Sequence, residues 1–239
     1  LADILGDHGL ITRYDEGPDV VYTIVPEQHH EASYYRNTTI HHFIVKAIAE
    51  MALMKAIEAP DNRANILRQE AAYLRDLFKF EFFYAPRLAF DASVDAELRR
   101  YEPDWETRIN ASESDAQQLL QRFHPHVASA ALLPFVESYR IVASILARLP
   151  GDEGIDAKSC LSQALAFGKQ AYLQRRITTE ASVGKLLFEN AYQQFDHQHL
   201  ITPRDGSLRQ ARTEALAQIA DLANRLERIK LQMTPTDRW

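Results

Sequence analysis

The chain has 239 residues, of which 46% are apolar and only 8 are glycine. This length and apolar content suit one large domain, or one and a half small ones, with a sizeable core, and they argue against a disordered chain. The few glycines favour helices over a turn-rich sheet fold. The formal net charge of −6 argues against a nucleic-acid scaffold, because binding to phosphates needs a clustered basic surface.

The first 25 residues predict the end of a helix followed by a β-hairpin. Residues 1–5 have a helical pattern, and Gly9 is suited to stop it. Two short β-prone runs, 10–14 and 20–25, flank a turn signal at 15–19. Helix, strand, turn and strand in this order resemble the tail of a winged-helix module. The simpler interpretation is a small hairpin that covers a helical bundle.

After Pro26 the pattern predicts helices almost throughout, with prolines and capping residues at their ends. The predicted helices cover 26–58 (or 32–58), 63–80, 91–101, 105–109, 112–123, 127–149, 155–178, 182–197 and 207–231. Residues 150–154 form the clearest linker. In the last helix the apolar residues share one face; they are Ala215, Ile219, Leu222, Leu226 and Ile229.

We therefore predict a mainly α fold, a multi-helix bundle with a small N-terminal β-hairpin that is a winged-helix-like remnant. Residues 1–25 would hold the helix end and the hairpin. Residues 26–150 would form the first portion of the bundle, and residues 151–239 its C-terminal portion. We expect these two helical portions to make one continuous domain.

The cysteine count and the apolar runs indicate where in the cell the protein is expected. Cys160 is the only cysteine, so no disulfide can form within the chain, which fits a reducing cytoplasmic setting. We interpret its thiol as a buried structural group. The sequence shows no signal peptide and no apolar run of the ~18 residues that cross a bilayer. Because the chain begins at Leu1 without an initiator methionine, we expect a piece of a longer protein.

Common catalytic and cofactor motifs are missing from the sequence. Several histidines come in pairs, but none has the i, i+4 spacing that places two metal ligands on one helical face. There is no Gly-x-Ser-x-Gly elbow and no glycine-rich phosphate loop. We therefore expect no metal and no cofactor in this chain.

The most unusual stretch is the polar segment 33–43. On a helix Ser33, Asn37 and His41 would form one polar stripe, with Arg36 beside it. In one interpretation this stripe pairs with polar groups of a neighbouring helix, since buried polar groups need partners. In the other, Arg36 and His41 meet an anion. The residues alone favour the structural interpretation.

Short sequence elements within residues 20–140 carry a family resemblance. They are Tyr22-x-Ile24-x-Pro26-Glu27, then Ser33-Tyr34-Tyr35-Arg36-Asn37 with His41 four residues on, then Leu77-Phe78-Lys79-Phe80-Glu81-Phe82, and Leu133-Pro134-Phe135-Val136-Glu137-Ser138-Tyr139. In this order they resemble the glycerol-3-phosphate 1-O-acyltransferases of the membrane-bound bacterial and mitochondrial type.

The resemblance implies an enzyme of phospholipid biosynthesis. Such enzymes transfer a fatty acyl group from acyl-CoA or acyl carrier protein (acyl-ACP) to the 1-hydroxyl of glycerol 3-phosphate. They use a His, four residues, then an Asp, in which the His acts as a general base. No histidine of this sequence is followed by Asp at that spacing. The chain thus resembles the C-terminal helical region, which we expect to contain no catalytic residue and to be inactive alone.

The resemblance also implies partners. We expect contact with an N-terminal acyltransferase domain of the same protein and, through it, with acyl-CoA or acyl-ACP and glycerol 3-phosphate. We further expect a peripheral position on the cytoplasmic side of the cell membrane, and no nucleic acid. Arg36, Asn37 and His41 are the candidates for a contact with substrate phosphate or between domains. The alternative is a winged-helix-containing regulatory or interaction module without enzymatic activity.

Overall fold

The structure is a computed structural model that describes residues 9, 11–17, 20–24, 39–203 and 207–233. The chain divides into two compact units, Leu1–His42 and Phe43–Trp239. The predicted helical segment at 1–5 lies outside the described residues, as do residues 25–38. The division of the helical part at residue 150 stays a prediction.

The first unit contains the predicted hairpin. Strands β1 (Ile11–Tyr14) and β2 (Val21–Ile24) pair antiparallel. Gly9, just before β1, has a φ of +70°, a conformation that glycine adopts without strain. The hairpin is confirmed. The winged-helix comparison rests on the helix before it and stays a prediction.

The second unit is helical, which confirms the mainly α prediction. Its helices are α1 (Ile44–Ile57), α2 (Arg63–Leu77), α3 (Arg87–Tyr101), α4 (Trp105–Ala111), α5 (Glu113–Arg122), α6 (Ala128–Leu146), α7 (Ala157–Leu173), α8 (Lys185–His197) and α9 (Arg209–Met233). Most of these bounds lie within a few residues of those predicted.

The first predicted helix differs most from the structure. In place of one α-helix through residue 58, its described part has a 3-10 turn at Ile40–His42 and then α1 from Ile44. The sequence has three consecutive β-branched residues, Thr38, Thr39 and Ile40, where this turn begins. Because β-branched side chains lose rotamer freedom in a helix, this run weakens helix propensity where the turn occurs.

Helices α1 and α6 form the centre of the second unit. Helix α1 packs against α2, α3, α5 and α6, while α6 also contacts α7, α8 and α9. Every residue from Ala47 to Met54 of α1 is buried, Glu50 included. The predicted apolar face of α9 is also buried, as this arrangement requires.

Helix α6 is long and apolar enough to cross a membrane by length and composition. Its most apolar stretch is 78% buried inside the protein, against four other helices. This burial is typical of the core helix of a globular unit, as the sequence predicted for residues 127–149.

Arg212 of α9 ties the predicted linker to the bundle. Its guanidinium is almost fully buried and donates to four backbone carbonyl oxygens, those of Pro150, Glu153, Leu200 and Ile201, at 2.8–3.0 Å. Hydrogen bonds from a charged donor are stronger than neutral ones. One side chain therefore fixes two loops against the start of α9.

Candidate functional site

The residues that the sequence singled out lie at the edge of what the structure describes. Arg36 and Asn37 lie outside the described residues. His41 is exposed in the 3-10 turn, with its ring 3.8 Å from that of His42. The predicted stripe and its role in phosphate or interdomain contact therefore stay predictions.

The core contains ionisable groups that the sequence analysis did not select. Glu50 of α1 is fully buried and accepts hydrogen bonds from the backbone N–H groups of Val127 (3.0 Å) and Ala128 (2.8 Å), at the start of α6. Burial raises its pKa to about 7, against the lowering effect of those two amides. Glu50 thus caps the helix that forms the centre of the bundle.

A buried histidine completes this end of α6. His126 has no hydrogen-bond partner on either ring nitrogen, and its Nδ1 lies 4.0 Å from Glu50 Oε2. Burial lowers its pKa to about 4, so the ring is neutral at pH 7. Nearby, Lys46 donates to the Tyr101 hydroxyl (2.6 Å) and to the Phe123 carbonyl (2.7 Å). Its ammonium group is therefore held by α3 and by the end of α5.

Glu137 in the middle of α6 has a similar structural task. One carboxylate oxygen accepts from the Thr178 backbone N–H (2.7 Å) and hydroxyl (2.8 Å), and the other accepts from the Ser182 hydroxyl. The carboxylate thereby binds the segment that joins α7 to α8. With its partners supplied by the protein, it is a poor candidate for a catalytic base.

Glu81, between α2 and α3, is partly buried and less well satisfied. Asn190 of α8 donates to its Oε2 at 2.9 Å. The Tyr139 hydroxyl lies beside the Glu81 carboxyl as a second, less well aligned donor, while the hydroxyl of Tyr84 is buried without a hydrogen bond. Burial raises the pKa of Glu81 to about 7 and also raises that of Tyr139, whose hydroxyl adjoins the carboxyl. At neutral pH much of Glu81 is protonated.

An open surface cleft of about 310 Å³ lies between α2, α3 and α4. Arg68 stacks over the Trp105 ring at 5.1 Å, and the Trp105 indole donates to Asp95 at 3.0 Å. Arg68 also pairs with Glu106, and Arg87 and Asp91 line the cleft as well. The volume is at the lower end of what a small-molecule site needs.

The single cysteine is where the sequence predicted it to be. Cys160 is buried in α7, and burial raises the pKa of its thiol to about 11. A thiol in this state is a poor nucleophile. In the part of the chain that the structure describes, no three His, Cys, Asp or Glu side chains come together as metal ligands.

Comparison with known proteins then identifies the family. Residues 1–204 match the family described as "Glycerol-3-phosphate acyltransferase C-terminal region". The chain belongs to this family. The recognition from the sequence elements around Arg36 and Asn37 is confirmed.

The glycerol-3-phosphate acyltransferase C-terminal region has curated relatives in mycobacteria. Proteins from Mycobacterium bovis and Mycobacterium tuberculosis that carry the name "Putative acyltransferase plsB1" are 33% identical over 225 residues. The match takes in 92% of this chain and 36% of each relative, so the chain spans about a third of their length. No solved structure matches it.

Sequence signals for the buried carboxyls of this C-terminal region do exist. Glu81 interrupts an aromatic run, and Glu137 stands within the most apolar predicted helix. A carboxyl that interrupts an apolar stretch is either on a solvated face or buried with a partner. Whether such a carboxyl is solvated or buried with a partner depends on how α7, α8 and the segment between them pack around it.

Proposed function

We propose that this chain is the helical C-terminal region of a glycerol-3-phosphate acyltransferase and supports a catalytic domain that the chain does not contain. The intact enzyme would transfer an acyl group from acyl-CoA or acyl-ACP to glycerol 3-phosphate, at the cytoplasmic side of the membrane. The observation that carries the proposal is the family match over residues 1–204. The relatives' greater length leaves room for a separate catalytic domain.

The hydrogen bonds of the buried carboxyl groups support a structural role for this chain. Acyl transfer to a hydroxyl needs a base that can reach the substrate. Glu50 and Glu137 instead accept hydrogen bonds from the protein's own backbone and hydroxyls. Each joins two segments of the bundle, as expected of a scaffold.

The experiment separates the two parts of the protein. The 239-residue chain and the upstream part that would carry a His-x-x-x-x-Asp motif are produced as separate polypeptides. We expect neither alone to acylate glycerol 3-phosphate, whereas the mixture regains transfer. Full activity of the upstream part alone would contradict a supporting role.

The predicted site is part of the same proposal. Arg36, Asn37 and His41 would contact the substrate phosphate or the catalytic domain, because a guanidinium matches a phosphate in a bidentate way. In the intact enzyme, we expect Arg36→Ala to raise the KM for glycerol 3-phosphate, with Arg13→Ala on the exposed hairpin as the control. An unchanged KM with a lower unfolding temperature would make Arg36 structural.

A further inference from the structure

Two stretches of the second unit contain basic residues and no acidic ones. Residues 138–151 run from the middle of α6 into the linker, and residues 157–179 comprise α7 and the segment after it. Helices α6 and α7 pack against each other. The cations of the two stretches are Arg140, Arg148, Lys158, Lys169, Arg175 and Arg176. In a chain of formal net charge −6, this separation makes the local potential around α6 and α7 positive.

Three of these arginines meet around one aromatic ring. The guanidinium of Arg148 lies 4.5 Å from the ring centroid of Phe167 in α7, and that of Arg176 lies 5.8 Å from the same centroid. Arg140 and Arg176 line one shallow hollow, together with Ser144 and Phe167. We call Arg140, Arg148 and Arg176 the arginine cluster. Two helices and the segment after α7 thus bring three cations together.

The arginine cluster lacks a counterion among the residues that the structure describes. None of its three side chains forms an ion pair with a described carboxylate, whereas most other described arginines do, such as Arg99, Arg122 and Arg228. Like charges that are held together without a counterion repel one another. A bound anion would remove this repulsion.

The nearest acidic residues in the sequence border the two stretches. They are Glu137, Asp152, Glu153, Asp156 and Glu180. Glu137 lies one helical turn before Arg140, but both of its oxygens accept hydrogen bonds from the segment that joins α7 to α8. Asp156 accepts from the Ser159 amide as the cap of α7. Arg148 and Arg176 are exposed and Arg140 is half-buried, so a ligand can reach the positive charge.

The hollow is suited to one phosphate group. Its volume of about 20 Å³ has room for little more than one water-sized group, so the rest of a ligand would lie outside it. A guanidinium offers a planar fork of N–H donors that matches phosphate oxygens. A phosphate monoester has three acceptor oxygens and nearly two negative charges, so it can engage more than one arginine. Because Arg148 and Arg176 are already ordered against Phe167, the entropy cost of binding is reduced.

We propose that the arginine cluster binds the phosphate monoester group of a small soluble molecule. Arg140 and Arg176 contact the phosphate oxygens in the hollow, and Arg148 adds positive charge beside it. The proposal goes beyond the proposed function, which assigns no ligand to α6 and α7. Its test measures binding and needs no acyl transfer, so the two proposals can fail independently.

The test titrates the 239-residue chain with AMP, inorganic phosphate and dimethyl phosphate by calorimetry at low ionic strength, after a cooperative unfolding transition has shown that the chain is folded. We expect one AMP to bind with a Kd of about 0.1–1 mM, and inorganic phosphate to bind similarly. Added salt should weaken both. Dimethyl phosphate, which has one charge and two free oxygens, should bind at least about tenfold more weakly.

Variants of the arginine cluster locate the site. Arg140→Gln and Arg176→Gln should each weaken AMP binding at least about tenfold, and Arg148→Gln, outside the hollow, about threefold. Arg176→Lys should bind with an affinity between those of the parent and Arg176→Gln, because lysine keeps the charge without the fork. Since Arg176 is exposed, its variants should fold even if Arg140→Gln does not. Arg87→Gln is the matched control, because Arg87 is also exposed and lines the separate cleft between α2 and α3.

Several outcomes would overturn the proposal. One is the absence of saturable AMP binding by the parent chain, and another is an equal affinity of the parent and Arg176→Gln. An equal affinity for dimethyl phosphate would indicate a general attraction to anions. Binding to phosphatidic acid vesicles that AMP and inorganic phosphate do not reduce would assign the arginine cluster to a lipid surface instead.

Discussion

At the scale of single residues, the protein's most unusual feature is the set of carboxyl groups inside its helical core. Glu137 meets three donors and Glu50 meets two backbone amides, whereas Glu81 meets Asn190 and, less well aligned, the Tyr139 hydroxyl. A buried carboxyl is costly unless hydrogen bonds compensate it. The rise of the Glu81 pKa to about 7 reflects incomplete compensation. Ionisation of Glu81 should therefore cause part of the pH dependence of the unfolding free energy.

We predict that Glu81→Gln stabilises the protein at high pH. The pKa of Glu81 is higher in the folded than in the unfolded state, so its contribution is full below the unfolded pKa and is lost as pH rises through about 7. The variant should gain roughly 3 kcal/mol relative to the parent between pH 4 and pH 8.

Urea unfolding of both proteins across this pH range measures the difference directly. The comparison between variant and parent removes the effects of other groups, including Glu50, whose pKa is also raised, and His126, whose pKa is lowered. Glu189→Gln is the control, since Glu189 is partly exposed on α8, in a surface ion pair with Lys185. A Glu81→Gln variant whose stability differs from the parent's by the same amount at every pH would show that folding does not raise the pKa of Glu81.

At the scale of secondary-structure elements, the position of α6 depends on a side chain from α1. The start of α6 has no capping side chain of its own, and Glu50 accepts its first N–H groups instead. The ionised form of this carboxyl also complements the positive end of the helix dipole. One contact thus connects the two central helices.

We predict that Glu50→Ala costs about 3 kcal/mol of unfolding free energy, because it leaves buried amides without acceptors. Hydrogen exchange at the Val127 and Ala128 amides should speed up more than exchange in α8. Glu58→Ala, just beyond the end of α1 and near the surface, is the control and should cost well under 1 kcal/mol. Unchanged exchange at those two amides would refute the capping role.

The sequence predicted most helices because their signals are local. At the start of α5, for example, the sequence offers Ser112 or Ser114 as a cap, and the Ser112 hydroxyl accepts the Asp115 amide at 3.0 Å. Helix α3 instead begins directly after Pro86, four residues before the predicted start at residue 91. Residues whose role depends on distant partners could not be found this way. Lys46 and Glu50 resemble a polar helical face in the sequence, yet both contact segments about 55–78 residues away.

The predicted site, with Arg36, Asn37 and His41, was also based on local spacing in the sequence. Its residues were selected by a family resemblance and by spacing, and the family is confirmed. The helical stripe that would join Asn37 to His41 is a local expectation, whereas His41 lies in a 3-10 turn. A 3-10 turn has three residues per turn, so it changes which side chains share a face. A role of this stripe therefore cannot be argued from α-helical spacing alone.

At the scale of the whole molecule, the second unit is built around two central helices and joined by long-range polar contacts. Arg225 of α9, for example, donates to the Met51 carbonyl (3.1 Å) and to Glu70 (2.8 Å), and so links α9 to α1 and α2. Arg212 does the same for the loops at the other end of α9. Such cross-connection suits a rigid support for another domain.

The central claim is that this region supports acyl transfer without performing it. The most direct measurement is transfer of radiolabelled acyl groups from acyl-CoA and from acyl-ACP to glycerol 3-phosphate by the purified 239-residue chain. Its fold is checked by a cooperative unfolding transition, and the intact enzyme serves as the positive control. We expect no transfer above background with either donor. Transfer by the folded chain alone would contradict the account.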